Sequence, residues 1–232
     1  MNINKHLILL FSVLFFLFAV SVSSGCFRKN ESDVKSVVRN ELDQLKNLDS
    51  ETTQKYIPYT ELFPDATENT DLTDEINKTF SLFFRKFNYK ISDVIVGTTN
   101  HSATVSVKLT TIDSKVLARD FKAELLRTQI TESAQAQKGN IKDSSRSLEA
   151  HYLILNHLLN TNDYDTAETD CNIQLVNTGN DKKEKWKIQR TNSLEDDLVG
   201  GLIADLADPD ILSPEDTLTV YLDTLQKLDL KE

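Results

Sequence analysis

"FNYKISDVIVGTTNHSATVSVKLTTID", residues 87–113, decides the fold. Its apolar residues recur at every second position, the period of a strand with one buried face. Phe87, Tyr89 and Ile91 share a face. Val94 and Val96 continue the alternation with shifted parity, so a bulge near Ser92-Asp93 is expected to bend the strand. "GTTNHS" reads as a turn. Ala103, Val105, Val107 and Leu109 then alternate with polar partners, giving the second strand of a hairpin.

A second hairpin follows later in the chain. Ala167, Thr169, Cys171, Ile173 and Leu175 share one strand face, "NTGNDKKE" turns the chain, and Trp186 and Ile188 point inward while Lys185 and Lys187 point out. Elsewhere the period is helical. Residues 33–48 place Val34, Val37, Val38, Leu42, Leu45 and Leu48 on one face, against which Trp186 is expected to pack. Residues 49–70 are polar, carry Pro58 and Pro64, and read as a short helix or turn and then loop.

Residues 71–86 form a helix with Asp71 as N-cap and Leu72, Ile76, Phe80, Phe83 and Phe84 on the face that continues to Phe87. Asp113 caps a helix running to about Gln135, with Leu117, Phe121 and Leu125 inward. Another helix, Ser145 to Asn160, turns Leu148, Tyr152, Leu155 and Leu159 inward. Residues 194–206 are helical with a weak spot at Gly200-Gly201, and a last helix starts at Ser213.

These elements predict an α+β fold in which a bent antiparallel sheet is wrapped around an N-terminal helix, with extra C-terminal helices. The strands "FNYKISDVIVG", "ATVSVKLTTID" and "KEKWKIQ", in this order among the helices, resemble the nuclear transport factor 2-like, or cystatin-like, superfamily. They resemble more narrowly bacterial lipoproteins of that fold. The resemblance covers roughly residues 32–195. It implies a cone-shaped domain whose mouth is often a ligand pocket or enzyme site. Tyr89, Val105, Val107, Cys171, Ile173 and Trp186 project from the presumed inner sheet face. Two readings of that face stay open, a pocket or plain core packing.

The opening stretch gives an address. Lys5 precedes an apolar run from Leu7 to Val22, then small residues, the pattern of a secretory signal. Ser23-Ser24-Gly25-Cys26 resembles a bacterial lipobox, departing from the usual leucine at Ser23. The resemblance implies cleavage before Cys26 and acylation of its thiol, palmitate-type chains included. An ordinary signal with an incidental cysteine and an uncleaved anchor are the alternatives.

The expected organisation is therefore a signal peptide over 1–25, a short tether over 26–31, the cone-like domain over 32–195, a helical linker over 196–212 and a C-terminal helix over 213–232. Two acyl chains hold a protein on a bilayer where one does not. Arg28 and Lys29 in the tether favour anionic headgroups and set the domain close to the bilayer surface, and the signal with its lipobox-like cysteine makes the expected location the extracytoplasmic face of the cell membrane.

Charge and motifs narrow the function. With 36 acidic against 26 basic residues the net charge is −10, which excludes a phosphate-backbone binder; no nucleic-acid partner is expected. His101 sits in a turn, and His151 and His157 are spaced wrongly to chelate together from one helix face. Cys171 has the acidic neighbours Asp165, Glu168 and Asp170, which disfavour a thiolate. No catalytic set, metal site or cofactor is expected. Three functions remain: a non-catalytic module binding a protein or small molecule near the membrane, a small apolar-ligand carrier or enzyme using the cone pocket, and a structural envelope protein.

One repeat adds a further expectation. "LDQLKNLD", residues 42–49, recurs as "LDTLQKLD", residues 222–229. Leu218, Tyr221, Leu222, Leu225 and Leu228 form an apolar stripe. Two readings stay open: two amphipathic helices with similar leucine spacing, or residues 213–232 as the first helix of a second similar domain, its stripe docked on the chain's own body or on another copy.

Overall fold

The computed structural model describes residues 30–57, 62–64, 66, 72–97, 101–137, 145–179 and 184–229 of the 232-residue chain. Cys26, the signal segment, Arg28 and Lys29 lie outside the described residues, as do Pro58 and Asp71. Contacts divide the chain into two compact units. One holds residues 30–40, Ile91–Ser106 and Asn172–Gln189. The other holds Glu41–Lys90, Val107–Cys171 and Arg190–Glu232.

Helix α1 covers residues 30–46, so it is already running before the expected start at 32. Val34, Val38, Leu42 and Leu45 are buried as their spacing requires, and Val37 is half-buried. Leu48 departs from the pattern: it is exposed and left-handed, at φ 62°. Its N–H donates to Leu45 O at 3.0 Å and the Asp49 N–H reaches Gln44 O at 3.0 Å. This is the closure that usually places glycine at this position. Asp49 then accepts from Thr52 N at 2.8 Å and starts α2, Ser50–Tyr56. Two residues thus end one helix and begin the next.

Helix α3 is Thr73–Phe83, followed by a 3-10 turn at Phe84–Lys86. Leu72 occupies the N-cap position without a side-chain cap. The expected phenylalanine face is buried, and its rings step edge to face toward the sheet: Phe83 to Phe84 at 5.5 Å and Phe84 to Phe87 at 5.3 Å. Such ring pairs stabilise beyond the area they bury.

Four strands form one open antiparallel sheet: β1 (Asn88–Val96), β2 (Ser102–Ile112), β3 (Thr166–Asn177) and β4 (Trp186–Ile188), in that spatial order. In β1 the exposed pair Ser92 and Asp93 marks the expected parity shift. In β2 Ala103, Val105, Val107 and Leu109 are all buried. The opposite face carries a polar ladder to β3. Thr104 donates to Gln174 Oε1 and Ser106 to Asn172 Oδ1, each at 2.9 Å, and Lys108 reaches Glu168 at 3.2 Å. β4 pairs Leu175 with Ile188 and Asn177 with Trp186. Asn177 Oδ1 fastens that hairpin by accepting from Gly179 N at 2.9 Å and Lys185 N at 3.0 Å.

Helices α4 (Ser114–Gln137), α5 (Leu148–Thr161), α6 (Asn192–Leu198), α7 (Leu202–Ala207) and α8 (Pro214–Asp229) complete the chain. Asp113 caps α4 through Val116 N at 3.3 Å, and Ser147, two residues beyond the expected start, caps α5 through Ala150 N at 3.1 Å. Within the second unit α4 packs on α5, α7 and α8, and α3 packs on α5. A buried hydrogen bond from Thr79 to Asn156 Oδ1, 3.0 Å, pins α3 to α5.

The C-terminal helix seats differently from its sequence stripe. Its buried residues are Val220 and Thr224, with Leu225 and Leu228 half-buried, while Leu218, Tyr221 and Leu222 are exposed at 58%, 46% and 55%. α8 packs on α4, and the buried Thr224 hydroxyl is satisfied within its own helix, donating to Val220 O at 2.6 Å. α8 is therefore docked on its own chain, through a face other than the expected one.

Candidate binding cavity

The six residues singled out on the sheet face have the following environments. Val105, Val107, Cys171, Ile173 and Trp186 are buried, and Tyr89 is half-buried with its hydroxyl donating to Asp43 Oδ1 at 2.6 Å. Burial and the neighbouring Asp197 carboxylate push the Cys171 thiol up to about 12. The acid that acts on it therefore comes from α6, not from the strand neighbours Asp165, Glu168 and Asp170. A thiol so protonated is a packing residue rather than a nucleophile. Of the histidines, His101 and His157 are exposed.

A different place carries an opening. A cavity of about 610 Å3, partly open to solvent, lies within the second unit, and none of those six residues lines it. Its walls come from the segment 62–66, from α4, from the start of α5 and from α7. Phe63 lines it and touches three other rings. The Phe63 ring stacks on Phe121 at 5.1 Å, tilts against His151 at 4.8 Å and meets Tyr152 edge-on at 5.5 Å. Phe121 and His151 stand 5.6 Å apart. Leu125, Ile203 and Leu206 extend the apolar lining, and Lys122, Arg146 and His151 supply its charged or titratable groups.

Local sequence explains each wall. Leu62 and Phe63 are an apolar pair that follows α2 and are buried, 3% and 8% exposed. Reading 49–70 as a polar stretch, a short helix or turn and then loop, anticipated α2 but passed over this pair. His151 is three residues past Leu148 and four before Leu155, so it sits on the flank of the buried face of α5. That spacing was the signal for it, and testing His151 only as a chelator passed over it.

The α7 wall depends on a sharp turn. Gly200 (φ 66°) and Gly201 (φ 90°) break α6 from α7, and Asp196 Oδ1 accepts from Ile203 N at 2.9 Å to start α7. The Ser114 hydroxyl lies 2.6 Å from Gly200 O and 2.7 Å from Asp205 Oδ2, which ties α7 to the start of α4.

The electrostatics are local. His151 Nδ1 is buried without a hydrogen-bond partner. Burial, then Lys122, holds the His151 imidazole below its ordinary range, so it is neutral at pH 7. An orphaned buried ring nitrogen costs about 1–3 kcal/mol until something pairs with it. A separate polar knot has a structural character: Glu195, 4% exposed, accepts from two Arg190 nitrogens at 2.9 and 2.5 Å.

Among the described residues no group of three His, Cys, Asp or Glu is arranged to hold a metal ion, and no helix is long and apolar enough to cross a membrane. The chain has no match among known protein families, curated proteins or solved structures.

Proposed function

We propose that this protein is an extracytoplasmic lipoprotein, a non-catalytic binding module held at the cell membrane by an acylated Cys26, which takes a small, largely apolar ligand in its helical cavity. The observation that carries the ligand reading is the cavity itself. Its 610 Å3 lies within the size range of small-molecule sites, and its lining sets Phe63, Phe121, Leu125, Ile203 and Leu206 beside a group of polar side chains, as such sites do. The expected pocket on the sheet face gives way in this reading to the site around Phe63. A wrap of the sheet around α1, as in nuclear transport factor 2-like proteins, belongs to the same proposal. It is supported by element order and by the complete burial of Val34, Val38 and Leu45.

The binding reading is tested with N-phenyl-1-naphthylamine, a neutral dye that brightens in apolar sites. The full chain is expected to bind it at micromolar concentration. The double variant Leu125→Phe/Ala207→Phe, which fills the cavity from α4 and α7, is expected to bind it at least about tenfold more weakly with an unchanged circular dichroism spectrum. Equal binding by the two proteins places the dye elsewhere and removes the cavity from the reading.

The anchor is tested separately. In a bacterial host the protein is expected in the membrane fraction with acyl groups on an N-terminal Cys26. Cys26→Ala is expected to abolish the acylation. An unmodified N-terminus beyond Cys26, by mass spectrometry, overturns the lipoprotein assignment.

A further inference from the structure

The charge of the cavity runs against the charge of the chain. Acidic residues outnumber basic ones 36 to 26, yet among the described residues every charged or titratable side chain in the lining is basic: Lys122 from α4, Arg146 from the segment before α5, and His151 from α5. Among the described residues no Asp or Glu lines the cavity. Glu132 approaches the rim, but its Oε2 is engaged by the Ser145 N–H at 3.2 Å. Lys122 is half-buried and makes no ion pair among the described residues. A partly desolvated ammonium without a counter-ion is an attractive place for an anion, since attraction strengthens as water is excluded. The unpartnered His151 Nδ1 adds a second group that a ligand oxygen would satisfy, provided that this nitrogen carries the ring proton.

We infer that the ligand of this cavity is a single-chain amphiphile with one anionic head group, its oxygens paired with Lys122 and His151 and its apolar body laid against Phe63, Phe121, Leu125 and Leu206. This rests on the cavity-binding reading above. Size bounds what the cavity can enclose. At about 30 Å3 for each water-sized group, 610 Å3 holds roughly 20 such groups. A fatty carboxylate of medium length fits whole, whereas a two-tailed phospholipid does not.

The experiment displaces bound N-phenyl-1-naphthylamine from the full chain with decanoate and with 1-decanol, which share a chain length and differ in head-group charge. Decanoate is expected to displace the dye at a concentration at least about tenfold lower than 1-decanol. Lys122→Gln is expected to bring the ratio of the 1-decanol to the decanoate displacing concentration down to about one, whatever the change in dye affinity, and Lys122→Arg is expected to restore it. Equal displacement by the two competitors, with the dye bound in the cavity, overturns the anionic head group and leaves the cavity reading standing. Retention of the decanoate advantage in Lys122→Gln also overturns the assignment. Failure of the dye to bind at all overturns the cavity reading itself, and this inference with it.

Discussion

Trp186→Ala lowers the stability of the fold by about 3–5 kcal/mol, the range for deleting a buried tryptophan. Trp186 is 7% exposed although it lies on β4, a three-residue edge strand. Its neighbours Lys185 and Lys187 are exposed, so the strand contributes most of its apolar area through this ring and Ile188. The indole N–H is satisfied locally by Glu184 Oε2 at 3.1 Å, so the ring brings no unpaired donor into the interior. At about 2–4 °C for each kcal/mol in a chain of this size, the thermal midpoint should fall by about 10 °C. Trp186→Phe keeps an aromatic body and should cost under about 2 kcal/mol. Because this is the sole tryptophan, its emission in the native protein reports the same site and is expected to be blue-shifted until β4 detaches. An alanine variant that melts within a degree or two of the parent would show that the ring contributes no core packing.

The elements with strong periodicity were legible because a single constraint governs each of them. In β2 and β3 the alternation alone named the buried residues, since a strand can turn only every second side chain inward. Helices tolerate more than one seating, and there the sequence was weaker. The string at 42–49 and its near-copy at 222–229 show why. Leu42 and Leu45 are buried, whereas Leu222 is exposed and Leu225 half-buried. The first copy ends its helix at Leu48, and the second continues to Asp229. Leucine spacing fixes which residues share a face; only the partner fixes which face is used. For α8 that partner is α4, and the match of Val220 and Thr224 to it is a tertiary fact with no local signature. The cavity was missed for a related reason. Leu62, His151 and Ile203 are far apart in sequence, and nothing in any one segment says that they line one space.

The Gly200-Gly201 pair was legible as a weak point, and the geometry turns it into a graded expectation. Gly200→Ala is expected to cost about 3 kcal/mol from two separable sources. A left-handed backbone costs an ordinary residue roughly 1–2 kcal/mol, and Gly200 has φ 66°. In addition, a methyl group there would stand 2.2 Å from Thr111 Oγ1 and 3.1 Å from Thr111 Cβ, an overlap worth about 1–3 kcal/mol in a packed interior. Gly201 supplies the control. Its φ is 90°, but a methyl group would meet only Ser114 Oγ at 3.7 Å and Asp205 Oδ2 at 3.9 Å, so Gly201→Ala should show the backbone cost without the overlap. Thr111 offers the complementary change. Its buried hydroxyl has no hydrogen-bond partner, so Thr111→Ala removes an unsatisfied group and should be close to neutral by itself. Combined with Gly200→Ala it should recover the overlap part and leave the backbone part, a coupling of about 1–2 kcal/mol in a double-mutant cycle read by denaturant unfolding. The effect should reach the cavity as well, because this turn sets where α7 presents Ile203 and Leu206. Dye affinity should therefore fall in Gly200→Ala and return in the double variant. Equal costs for Gly200→Ala and Gly201→Ala, with no coupling to Thr111, would mean that the chain moves aside at no cost and that the close approach does not fix the turn.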